Sequence, residues 1–122
     1  MHRFEPLDPV YQFARQADID NGPIVMVNLL TMGPGDEAAF PAAWTADSLF
    51  MKRQAGFVST QLDRAIGENP TNLNYAVFDD VAACRSAFRT PEFQQRLNAP
   101  QAYVVARPHL FAKVAVPDLC TA

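Results

Sequence analysis

In the run PIVMVNLLTM (Pro23–Met32), Asn28 places a carboxamide, with donor and acceptor capacity, among hydrocarbon neighbours. Such an amide can hydrogen-bond a substrate oxygen that gains negative charge. It can equally pair with backbone and help set strand register, since buried polar groups are nearly always satisfied. Asp47 falls on the same side of an apolar helical stripe as Phe40, Trp44 and Met51. Burial there would give a base with a raised pKa; a place at the edge of the stripe leaves an ordinary solvated carboxylate. Arg64 allows the same two readings. Of the histidines, His2 lies in an N-terminal extension, and His109 reads as a surface or interface residue, the only neutral-range titrating group in the domain proper. Phe40, Trp44, Met51, Phe78, Phe88 and Phe93 can line a flat apolar pocket for an aromatic ligand, or simply fill the core as such residues usually do. Trp44 is the best pocket candidate, because a buried indole N–H needs a partner. No metal-ligand spacing, Gly-rich phosphate loop or Ser-His-Asp arrangement occurs, so no metal, flavin or nicotinamide site is expected.

The elements that must position these residues follow from pattern and turn chemistry. Residues 23–32 are apolar on both alternating faces, so this strand needs cover on both sides. Asp36 and Glu37 open a helix expected to run to about Gln54, with Gly56 as its breaker. Phe57–Ile66 reads as a strand with Val58, Thr60, Leu62, Arg64 and Ile66 on one face and Phe57 on the other. A turn over Gly67–Thr71 leads to an antiparallel strand, Asn72–Phe78. Asp79 or Asp80 caps a helix ending near Arg89, and Thr90-Pro91 restarts helix as PEFQQRL. A loop is expected over Asn98–Pro108 and a last strand over Leu110–Val116. In the extension, Asp8-Pro9 starts a short helix through Gln16 with Val10, Phe13 and Ala14 as its stripe, and no chemistry is expected there. The order is the βαββαβ of a ferredoxin-like α+β fold: two helices over one face of a four-stranded antiparallel sheet. The first strand's second apolar face calls for a homodimer.

At 122 residues the chain makes one domain, divided as extension 1–22, ferredoxin-like domain 23–116 and a loose tail 117–122. A net charge of −3 without a Lys/Arg cluster argues against nucleic acid and anionic membrane as partners. No window approaches the length of a membrane span or a signal peptide. Cys84 and Cys120 are isolated, so no disulfide framework is expected and the cytoplasm is the expected compartment.

With these pieces in order, the chain resembles the antibiotic biosynthesis monooxygenase family, whose members are dimeric α+β barrels. The matching segments are VNLL, the helix with AAW, QAGFVSTQLDRA, NYAVFDD and SAFRTPEFQQ, over residues 23–116. Anthrone-oxidising members use an asparagine in the first strand, another in the third, and a tryptophan four residues after the latter. Asn28 and Asn74 match the amides; Phe78 stands at the tryptophan position. The resemblance implies a cofactor-independent monooxygenase acting with O₂ on an electron-rich aromatic such as an anthrone or hydroquinone. Asn28 and Asn74 would be its catalytic amides, and Phe78, Trp44, Phe40, Met51, Phe88 and Phe93 its substrate contacts. The alternative is a non-oxidative small-molecule binder, isomerase or cyclase on the same fold. The haem-degrading branch of the superfamily needs a histidine ligand in its second helical region, and PEFQQRLNAP has none.

Overall fold

β2 (Ile24–Thr31) occupies the middle of the sheet, as its two apolar faces require. In the computed structural model, which describes residues 2–99 and 102–122, it pairs antiparallel with β4 (Thr71–Phe78) on one side and β5 (Val104–Phe111) on the other. β3 (Phe57–Arg64) lies outside β4. These four strands have the ferredoxin-like arrangement. A fifth, β1 (His2–Phe4), runs parallel to β5, so the order is β1-β5-β2-β4-β3. The four-stranded antiparallel sheet expected from the sequence is therefore a five-stranded mixed one. Three residues are too few to show a period of two, and β1 takes its register from a strand at the far end of the chain.

The last strand lies earlier than Leu110–Val116. Val104, Ala106, Pro108 and Leu110 alternate inward and are buried, whereas everything from Phe111 onward is exposed. Pro108 is tolerated because β1 pairs only with Val104–Ala106, leaving no outer strand that needs its missing N–H. Of the loop expected over 98–108, residues 100 and 101 lie outside the described residues, and from Val104 onward it is strand. The free edge beyond β1 is covered by α1 (Phe13–Gln16), shorter than expected. The Gln16 amide donates to the Leu110 carbonyl at 2.9 Å and accepts the Leu110 N–H at 2.8 Å, the pair a neighbouring strand would make. Of the expected stripe only Phe13 packs inward, its ring 5.2 Å from that of Phe88; Val10 and Ala14 are exposed.

The helix expected over 36–54 is two: α2 (Pro34–Glu37) and α3 (Phe40–Lys52). Pro41 has no N–H for the Glu37 carbonyl one turn back, so it starts a new helix rather than continuing the old one. Asp80, not Asp79, caps α4 (Val81–Phe88), its Oδ1 accepting the Ala83 N–H at 2.7 Å. Thr90 caps α5 (Pro91–Leu97) by accepting the Phe93 N–H at 3.2 Å. At Gly56, φ is +83°, and a Cβ would lie 2.5 Å from the Ala83 Cβ; only glycine lets this turn meet α4 so closely. Two buried clusters fill the space between helices and sheet, one around Phe50, Phe78 and Phe93, the other around Leu30, Phe40 and Val104.

One face assignment changes. The β3–β4 register shifts between Phe57 and Ser59, a bulge that turns Phe57 toward the helices beside Thr60, while Val58 is 56% exposed. The Phe57 ring meets Phe78 edge-on at 5.6 Å. After β5 the chain closes one turn in which Val116 pairs with Cys120. Among the described residues no helix is long and apolar enough to cross a membrane.

Candidate active site

Asn28 on β2 and Asn74 on β4 are directly opposed in the antiparallel register. Directly opposed side chains share a face, and this face lies under the helices. Both amides line one cavity of about 70 Å³ between sheet and helices. Phe40, Trp44, Asp47 and Met51 of α3 line it from above, Phe88 of α4 and Phe93 of α5 from one side, and Phe78 from β4. The two amides, Asp47 and the six apolar candidates thus surround one space.

The two amides are in different states. The Thr60 hydroxyl donates to Asn74 Oδ1 at 2.7 Å, which occupies the carbonyl and leaves the amide N–H groups as the free donors. Asn28 Oδ1 is buried and has no hydrogen-bond partner among the described residues. An unmet buried acceptor costs on the order of 1–3 kcal/mol, so a ligand hydroxyl placed there would be held strongly. Among the described residues neither amide hydrogen-bonds backbone. Trp44 is half-buried, and no hydrogen bond reaches its indole N–H among the described residues. Burial pushes the Asp47 carboxyl up to about 6, against the opposing pull of Arg96 on α5. The wall therefore combines a donor amide, an acceptor amide, a poised carboxyl and aromatic rings.

Neither a family model nor a curated protein matches the sequence. Solved structures do. The chain is similar to SnoaB, a cofactor-independent oxygenase from Streptomyces nogalater, at 28% identity and a TM-score of 0.72 over 80% of this chain and 99% of SnoaB. A form of SnoaB with one asparagine changed to alanine matches at 27% identity and a TM-score of 0.70, over 80% of this chain and 99% of that one. A candidate antibiotic biosynthesis monooxygenase from Bordetella bronchiseptica shares the fold at 19% identity and a TM-score of 0.64, over 78% of this chain and 100% of that chain. The chain therefore shares its fold with antibiotic biosynthesis monooxygenases and is similar in sequence to a cofactor-independent oxygenase.

Two polar candidates of the sequence, Arg64 and His109, lie elsewhere. Arg64 is on the outer part of β3, where its guanidinium pairs with Glu37 at 2.6 Å. His109 stands opposite Val27 on the second sheet face, its Nε2 3.2 Å from the Gln16 amide nitrogen. Cys84 is buried and its thiol is pushed up to about 12 by desolvation, so it is inert. Conversely, the extension thought to carry no chemistry reaches the cavity: His2 and Phe4 of β1 both line it. Thr60 was missed as a partner of Asn74 although the strand alternation had put it on a single face with Leu62. A second cavity, about 350 Å³, shares Phe4, Phe88 and Leu97 as walls with the first and is bounded further out by Phe13, Arg85 and Arg89.

Proposed function

We propose that the protein is a cofactor-independent monooxygenase that oxidises an electron-rich aromatic substrate, of the anthrone or hydroquinone class, with O₂. The observation that supports this most is the register opposition of Asn28 and Asn74 over an aromatic-walled cavity, in a chain 28% identical to a cofactor-independent oxygenase. Such a substrate supplies its own electrons. Once deprotonated, it passes one electron to O₂, and the radical pair combines to a peroxide that loses water to leave a new carbonyl. One oxygen atom enters the product and the other leaves as water. The protein's tasks are to hold the ring, exclude water and stabilise the oxyanion. Asn74 donates to that oxyanion and Asn28 Oδ1 accepts from a neighbouring substrate hydroxyl.

Size bears on the mode of binding. An apolar cavity of about 150 Å³ accommodates a single benzene, so a fused tricycle enters a 70 Å³ space only if walls yield. Trp44, Phe57 and Phe88 are the half-buried walls that would have to yield, and the second cavity beyond Phe88 takes what projects outward. The same reading includes a homodimer. Val27, Leu29, Leu73 and Val77 on the second sheet face are only half-buried, and Phe111 is 45% exposed beside them.

Phe78 at the position where anthrone oxygenases carry tryptophan favours a second reading, a non-oxidative binder, isomerase or cyclase. An oxygen electrode with purified protein and an anthrone separates the two. O₂ uptake above the uncatalysed rate, lost in Asn28→Ala and Asn74→Ala, is the expected result. Tight binding without uptake would sink the oxygenase reading.

A further inference from the structure

We propose that His2 is the proton acceptor of this site, taking from the substrate the proton it must lose before reacting with O₂. The inference rests on the oxygenase reading and supplies the base which that reading lacks. His2 opens β1, and parallel pairing sets it opposite Val104, so that its ring forms part of the cavity wall shared by Asn28 and Asn74. The ring is hydrogen-bonded to the Leu97 backbone. A carbonyl can only accept, so this contact fixes the N–H on the nitrogen that makes it. Nδ1 is buried with no hydrogen-bond partner among the described residues and is therefore the nitrogen with the free lone pair. Burial also holds the imidazole below its ordinary pKa, which keeps it neutral and able to accept at neutral pH.

The rival is Asp47, across the cavity on α3, with Arg96 of α5 within electrostatic reach. A protonated carboxyl leaves the new substrate anion unbalanced in a poorly solvated space. A histidinium beside that anion neutralises it. The step moves one proton and no electrons. A substrate C–H or O–H bond breaks, its electron pair stays on the substrate, and an Nδ1–H bond forms. After electron transfer to O₂ and peroxide formation, the proton on Nδ1 returns to the peroxide as water is lost.

His2→Gln keeps a donor for the Leu97 carbonyl but removes the base, and His2→Ala leaves room for free imidazole. In the oxygen-electrode assay with an anthrone, His2→Gln should turn over at least ~10²-fold more slowly, the lower end for losing a general base. Added imidazole should restore part of the rate to His2→Ala and none to the wild type. Separately, ¹⁵N-imidazole spectra of the wild-type protein should show Nδ1 unprotonated when free and shifted toward protonation on adding a hydroxyanthraquinone. Full turnover in His2→Gln overturns the proposal. So does a rate lost in Asp47→Asn but kept in His2→Gln, which transfers the role to Asp47. If the wild type takes up no O₂, the oxygenase reading fails and the spectrum still decides: an Nδ1 signal unmoved by the anthraquinone refutes the contact.

Discussion

Asp47→Asn should make the protein more stable at neutral pH, and the gain should vanish in acid. Burial in the cavity wall pushes the Asp47 carboxyl from its ordinary 3.8 up to about 6. Below the lower value both folded and unfolded chains hold the proton, and no penalty exists. As pH rises, the unfolded chain releases its proton first, so stability falls through the window from 3.8 to about 6 and stays lower above it. At about 1.4 kcal/mol per pKa unit the full gap corresponds to roughly 3 kcal/mol. Water reaching the half-buried carboxylate and the nearby Arg96 charge reduce the usable figure to about 1 kcal/mol. Asparagine fills the same space without ionising. For a chain of this size 1 kcal/mol is worth about 3–6 °C in Tm. Urea and thermal melts of both proteins, at matched protomer concentration and at several pH values between about 4 and 8, measure the difference. The lowered pKa of His2 is common to both proteins and cancels. A variant no more stable than wild type near pH 8, or a difference that does not shrink toward pH 4, would refute a dry placement for this carboxyl. A charged group kept at a cost in stability inside an aromatic wall is the pattern expected of a functional site.

Asn28→Ala and Asn74→Ala should each lower turnover by about 10²-fold in the oxygen-electrode assay while leaving the thermal melt within a few degrees, because each amide already faces an open space. Phe78→Trp should keep or raise oxygenase turnover, yet Phe78 is 1% exposed, so urea melts should show a loss of about 1–3 kcal/mol from overpacking. Light scattering at micromolar concentration should give the mass of two chains; the mass of one would remove the second sheet face as a dimer interface.

What could be read from the sequence, and what could not, divides along one physical line. Asn28, Phe40, Trp44, Asp47 and Met51 belong to elements whose own periodicity states which way each side chain points, so the core fold and the grouping of these residues were legible. Asn74 and Phe78 stand four residues apart on one strand, and that spacing alone puts them on one face. Errors collected where a neighbour, rather than the local pattern, sets the geometry. The β3 bulge exists only against β4, and it exchanges Phe57 for Val58 on the inner face. The loop expected up to Pro108 is strand from Val104, because beyond Ala106 no outer strand needs the proline's missing N–H.

β1 is the extreme case. His-Arg-Phe carries no strand signal of its own, and its parallel partner, β5, lies about a hundred residues along the chain. The contribution of such a segment is set by the edge it finds. Here the edge of β5 lies next to the cavity, because β5 pairs with β2 and its Pro108 stands opposite Asn28. Any residue at the start of a strand added there points either into the cavity or away from it. With His2 opposite Val104, which is fully buried on the helix-covered face, the alternation sends His2 and Phe4 inward and Arg3 out to solvent, where it pairs with Glu5. A one-residue slip of this short strand would reverse that order. The register of β1 therefore determines whether the cavity has an imidazole in its wall.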